Sequence, residues 1–324
     1  MRAAVLVAPK EIVVTQAPVP NPGPGQVRVR IAGCGVCASN LSPWEGQPWF
    51  EYPMAPGQLG HEAWGHVDAL GPGVTDLRVG ERVTMLSNHA YAEYDVAGAD
   101  QAVALPEALD GQPFPGEPLG CAMNILRRAE IAPGDTVAIV GIGFLGALLT
   151  RLATRAGARV IAVTRRPFAL DVARSMGAEH LVPMDDHAGV IRRVSDLTGG
   201  ALCDEVIEAT GKQWPLDLAA ELTRERGRLV IAGYHQDGPR QVNMQLWNWR
   251  GLDVINAHER DPQVYVAGIR EAIAAVCDGA LDPLPLYTHT LPLERLAEGL
   301  RLTAERPDGF IKALVTMGDG EGPR

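Results

Sequence analysis

The sequence predicts an α/β protein in which an antiparallel, barrel-like β-domain precedes a doubly wound parallel sheet. Three observations carry this expectation. Roughly the first hundred residues hold short apolar, β-branched segments separated by Gly/Pro clusters such as PVPNPGPGQ. From Thr136 onward, continuous apolar strands alternate with helical stretches, as a parallel sheet covered on both faces requires. A Gly-x-Gly-x-x-Gly turn, Gly141 to Gly146, joins the first strand and helix of that series.

The elements follow in order. AAVLV, EIVVTQ, QVRVRIAGCGV, HEAWGHVDALG, ERVTML and YAEYDVAG are strands of the first domain. A helical stretch, FPGEPLGCAMNILRRAEIAPGD, leads out of it. TVAIV, the glycine turn, a helix and the strand ARVIAVT then form a βαβ unit. Helix FALDVARSMGA, strand HLVPM, helix HAGVIRRVSDLTG, strand DEVIEAT, helix WPLDLAAELTRER and strand RLVIAGY continue the alternation. The Trp-rich MQLWNWRG precedes a further strand, LDVINAH. Helix PQVYVAGIREAIAAVCDG, the stretch YTHTLPLERLAEGLRLTAERP and strand FIKALVTM close the chain, and the tail GDGEGPR is expected to fray. Domain boundaries fall at residues 1–118, 119–256 and 257–324, the last returning to the first domain.

Composition bounds the function. The 324 residues suffice for two cores, and 46% hydrophobic content argues against disorder. A net charge of −10 disfavours nucleic acid or an anionic membrane as partner. Five sparse cysteines are no disulfide framework, and with no apolar run of membrane-spanning length and no signal-like N-terminus, a cytoplasmic protein is expected.

The glycine turn is a dinucleotide site. Gly141 permits the tight turn, Gly143 lets backbone approach a pyrophosphate, and Gly146 allows close helix–strand packing; Phe144 and Leu145 open the helix whose N–H groups face the phosphates. At the end of the second strand Thr164 stands where an acid would receive the ribose hydroxyl of NAD, and Arg165 and Arg166 follow. Guanidiniums there suit a 2′-phosphate, so NADP(H) is expected over NAD(H). Ala209, Thr210, Ala232 and Gly233, at the ends of later strands, are assigned to the same cofactor.

Cys37 lies in the turn GCGVCASN, and His61–Glu62 stand between glycines at a strand start. Thiolate, imidazole and carboxylate are zinc donors, and a catalytic zinc keeps one position open. With GVCASN, GHEAWGHV and GDTVAIVGIGFLG in that order, and EPLGC besides, the chain resembles the zinc-dependent medium-chain dehydrogenases/reductases, the alcohol and polyol dehydrogenase superfamily, over nearly its whole length. The resemblance implies a GroES-like catalytic domain, a Rossmann domain and hydride transfer between NADP(H) and a secondary alcohol or ketone of a polyol, cyclitol or sugar-like small molecule. It implies one catalytic zinc on Cys37, His61 and Glu62, with Glu117 favoured over Cys121 as the remaining ligand. Ser39 falls at the proton-relay position, Lys312 at a basic position that contacts cofactor phosphates, and a homodimer or homotetramer is implied.

Three departures matter. The cysteine lobe of a structural zinc is absent after GERVTM. Asn40 stands where an aspartate often orients the zinc site, so His61 must be held differently. Ser42 replaces the histidine that ends some relays. Trp44, Trp49, Phe50 and His89 are substrate-pocket candidates, while Trp247 and Trp249 are expected between elements or at a subunit contact. The alternatives are a zinc-free quinone or enoyl reductase of the same superfamily, and a non-catalytic dinucleotide-binding protein.

Overall fold

The computed structural model describes residues 1–318. The tail GDGEGPR lies, apart from Gly318, outside the described residues. The chain divides into two units, Met1–Gly120 with the segment from Arg260 onward, and Cys121–Glu259.

In the first unit, alternating apolar residues drive Gln26–Gly35 and Glu62–Leu70 into an antiparallel pair whose inward side chains are Val27, Val29, Ile31, Ala63 and Val67. These strands are central to a seven-stranded sheet ordered His289–Pro292, Ala313–Thr316, Gln26–Gly35, Glu62–Leu70, Arg82–Leu86, Ala102–Ala104, with Tyr94–Gly98 also on Gln26–Gly35. The pair Arg2–Ala8 and Glu11–Gln16 forms a separate two-stranded sheet. Two registers set up the later chemistry. Cys34 lies opposite Ala63, which brings Glu62 against Gly35. Leu314 lies opposite Gly35 and Val36 N–H donates to the Ala313 carbonyl, so the C-terminal strand carries Lys312 to the same place.

The second unit is a six-stranded, all-parallel sheet: His180–Pro183, Arg159–Thr164, Thr136–Val140, Cys203–Glu208, Thr223–Ile231, Asp253–Asn256. In chain order this is 3-2-1-4-5-6, the doubly wound arrangement, with its switch point between Thr136–Val140 and Cys203–Glu208. Thr136–Val140 is buried throughout, which is why it reads as an unbroken apolar run.

One expected element differs. The helix WPLDLAAELTRER stops at Leu222, and Thr223–Ile231 is strand. Thr223 Oγ1 donates back to Ala219 O at 2.8 Å, Arg224 pairs with Asp204 at 2.7 Å, and Arg226 takes a positive φ of 53° within the bulge. Charged side chains with good helix propensity are overridden here by a sheet position and its ion pair. Among the described residues no helix is long and apolar enough to cross a membrane.

Candidate metal centre and dinucleotide site

Cys37, His61 and Glu62 come together: their ligand atoms all lie within 4.8 Å of one another. Each is placed by local backbone. Cys37 follows strand Gln26–Gly35 and caps a short 3-10 turn, Ala38–Asn40. Glu62 opens its strand with its carboxylate at Gly35, where a Cβ would sit 1.8 Å from Glu62 Oε2, so only glycine leaves it room. Gly60 is pressed on Tyr91 N, where a Cβ would come within 2.2 Å.

The His61 ring is oriented by its far nitrogen. Nδ1 lies 2.8 Å from the Leu59 carbonyl, which can only accept, so Nδ1 carries the hydrogen and neutral Nε2 is left as donor to a metal. Ser39 Oγ stands 3.5 Å from that Nε2. Burial would lower the imidazole's affinity for a proton, but the charge of Cys37 and its hydrogen bond, with Glu117 and Glu62, outweigh it and raise the pKa to about 10.

Lys312 is buried. Its Nζ donates to Glu62 Oε1 at 2.6 Å and lies 2.5 Å from Oε2, leaving Oε2 without a directed hydrogen bond. Burial disfavours its charge, yet Glu62, Cys37 and Glu117 raise its pKa above the ordinary lysine value. The negative charge of Cys37, Glu62 and Glu117 thus favours a cation at this place, and Cys37, His61 and Glu62 present sulfur, nitrogen and oxygen donors to it. That chemistry, with one buried carboxylate oxygen lacking a directed donor, fits a zinc ion.

The resemblance gives Lys312 a role at cofactor phosphates; the structure places it instead as a buried partner of Glu62. Glu117 and Cys121 lie one turn apart on the helix Gly116–Ala129, both part-buried. Trp44 packs into the core at 6% exposure, Phe50 packs against that core, Trp49 is 56% exposed and His89 is exposed. Trp247 packs against the sheet core of the second unit, while Trp249 is open to solvent.

In the second unit the glycines divide the labour as their positions require. Gly141 has φ +101°, and a Cβ there would meet Thr210 Cγ2 at 2.3 Å. A Cβ on Gly146 would meet the Gly141 carbonyl at 2.0 Å. One on Gly143 would meet nothing within 4 Å, so the second glycine opens onto space. Gly143 is the cap residue of helix Phe144–Arg155 and makes no side-chain cap hydrogen bond. Thr164 is buried, Arg165 is exposed, and Arg166 reaches back to the Ile142 carbonyl at 3.3 Å.

Sequence reasoning missed Glu208. Fully buried at the end of Cys203–Glu208, it accepts from Thr210 N at 2.7 Å, Gly211 N at 3.0 Å and the Thr210 hydroxyl, with His235 Nε2 at 3.1 Å. Its own carbonyl accepts from Ala232 N and Gly233 N. One carboxylate thus ties Ala209–Thr210 to the Ala232–His235 loop. The signal was the acid in VIEAT, directly before residues already assigned to the cofactor. Leu59 and Tyr91, which frame His61 with Asn40, carry no sequence signal at all.

Two family models match the chain. "Alcohol dehydrogenase GroES-like domain" covers residues 23–124 and "Zinc-binding dehydrogenase" covers residues 145–273. An alcohol dehydrogenase of Geobacillus stearothermophilus is 31% identical over 72% of this chain and 77% of its own length. L-galactonate-5-dehydrogenase of Escherichia coli K12 is 26% identical over 98% and 99%. The solved alcohol dehydrogenase of Thermus sp. ATN1 superposes with a TM-score of 0.82 at 26% identity, covering 98% of this chain and 99% of that one.

Proposed function

The chain belongs to the zinc-binding alcohol dehydrogenases and is an oxidoreductase of that family, and on this footing we propose that it moves a hydride between NADP(H) and a secondary alcohol or ketone of a polyol, cyclitol or sugar-like molecule. The observation that carries the reading is the convergence of Cys37, His61 and Glu62 in one donor cluster. Cys37 and His61 hold the metal. Glu62 is shared between the metal and Lys312. Beyond the three-donor cluster, Glu117 is the favoured remaining ligand, near enough for its charge to act on both His61 and Lys312; Cys121 is the alternative. When bound, zinc supplies Lewis acidity to the substrate oxygen, and the nicotinamide supplies or receives the hydride.

The remaining roles belong to side chains. Ser39 Oγ, beside His61, relays the substrate hydroxyl proton: it accepts that proton as it passes its own hydrogen on to water, and the reverse occurs in reduction. Ser42 is buried three residues on, so the proton leaves by another route. Gly141, Gly143 and Gly146 admit the pyrophosphate, with Phe144 and Leu145 offering backbone N–H groups. Thr210 packs over Gly141, and Ala209, Ala232 and Gly233 are fixed through Glu208 against the nicotinamide half. Arg165 and Arg166, with neutral Thr164, favour the 2′-phosphate of NADP(H).

The substrate class rests on the sugar-acid dehydrogenase relative and on the exposed Trp49 beside Phe50, 6.2 Å between rings, as an apolar face for a carbon skeleton. The edge strand Asp253–Asn256, next to exposed Trp249, is where a homodimer would form.

The test is a screen of secondary alcohols, polyols and cyclitols with NADP⁺ and NAD⁺, read at the reduced-nicotinamide band. Turnover of a polyol or cyclitol with NADP⁺ supports the reading. No alcohol turnover, with a conjugated alkene reduced by metal-free protein, refutes it.

A further inference from the structure

We propose that Asn40 is a positioning residue for the metal ligand His61 and acts through the backbone carbonyl of Leu59. The inference rests on the zinc reading above and goes beyond it to the device that aims one ligand.

Asn40 is 2% exposed, and both ends of its amide are engaged. Nδ2 donates to Leu59 O at 3.1 Å, the same carbonyl that accepts from His61 Nδ1 at 2.8 Å. Oδ1 accepts from the Tyr91 hydroxyl at 2.8 Å, whose hydrogen is shared with Gly35 O at 3.1 Å. Tyr91 is itself 1% exposed. The backbone N–H of Asn40 donates to Cys37 O at 3.1 Å. One residue therefore registers the turn that bears the thiolate against the turn that bears the imidazole.

Leu59 has φ +81°, a conformation that leucine avoids and that persists only where surroundings over-determine it. Two donors converging on its carbonyl are such a constraint.

The amide is not a passive stand-in for an acid. A carbonyl can only accept, so whatever supports it must donate. Aspartate at position 40 has the same shape but would set an oxygen against the Leu59 oxygen and release it. The ring support here is a neutral carbonyl, held in place by a neutral amide.

The experiment measures zinc affinity of metal-free wild type, Asn40→Ala, Asn40→Asp and Tyr91→Phe by competition with a chromophoric chelator, and records the cobalt(II)-substituted absorption spectra. Asn40→Ala and Asn40→Asp are each expected to lose about 10- to 100-fold in zinc affinity and to shift the cobalt bands, with a smaller loss for Tyr91→Phe. If Asn40→Ala does not fold, the isosteric aspartate and Tyr91→Phe carry the test. Asn40→Asp binding zinc as tightly as wild type, with an unchanged cobalt spectrum, overturns the inference and leaves the zinc reading intact. Failure of the wild type to bind zinc brings down both.

Discussion

Replacing Lys312 by methionine should destabilise the metal-free chain far more than the zinc-loaded one. Methionine keeps most of the volume and removes the cation. Lys312 and Glu62 are 6% and 0% exposed, and Nζ stands 2.6 Å from Oε1. Removing one partner of a buried pair costs about 3–5 kcal/mol, because the other charge is stranded. At about 2–4 °C per kcal/mol, the metal-free midpoint should fall by roughly 6–20 °C. Zinc changes the sum. Glu62 lies within 4.8 Å of the other donors, so the ion takes over the stranded carboxylate and the loss shrinks. The zinc-induced rise in melting midpoint should therefore be larger in the variant than in wild type. Scanning calorimetry with chelator and with zinc measures both. Equal losses with and without zinc, or a metal-free loss under about 2 °C, would refute the coupling of Lys312, Glu62 and metal.

Two further outcomes follow from the second unit. Arg165→Ala with Arg166→Ala should lower kcat/KM for NADP⁺ by about 10- to 100-fold, the worth of a charge-assisted phosphate pair, and leave NAD⁺ nearly unchanged; equal losses with both coenzymes would contradict the phosphate assignment. Glu205 is 3% exposed with Oε1 unpartnered, and burial, then Asp135 and Glu130 against the counteracting Arg228, push its pKa up to about 8. The unfolded chain releases this proton near 4.5 while the native chain holds it, so stability falls as pH rises from 4.5 to about 8 and levels off above. At about 1.36 kcal/mol per pH unit the ceiling of this effect is about 5 kcal/mol. Glu205→Gln should flatten the decline in a denaturant titration series, and parallel curves for the two proteins would show that Glu205 is not its source.

The parts legible in the sequence are those written in contiguous residues. Thr136–Val140, the glycine turn and Arg159–Thr164 declare a parallel sheet because local burial and backbone need dictate each position. The convergence of Cys37, His61 and Glu62 was legible because few residue types offer metal donors, and the sequence sets all three close to glycine turns. What stayed hidden depends on tertiary register. Lys312 is 250 residues from Glu62 and reaches it only because Ala313–Thr316 pairs with Gln26–Gly35. Thr223–Arg226 carries helix-forming side chains but is claimed by the sheet. The left-handed Leu59 leaves no trace in residue type, since leucine is a poor choice for φ +81° and is held there by its carbonyl's partners. Trp44, a pocket candidate in the sequence, packs into the core at 6% exposure, a placement that an aromatic residue type does not reveal by itself.

The most direct measurement is zinc content and coordination by X-ray absorption on purified protein, alongside alcohol oxidation before and after metal removal. The account predicts one catalytic zinc per chain with a sulfur donor in its shell, lost together with turnover in Cys37→Ala and His61→Ala and restored to wild type by added zinc. Undiminished turnover by the metal-stripped chain, or a zinc that stays in place in both variants, would contradict it.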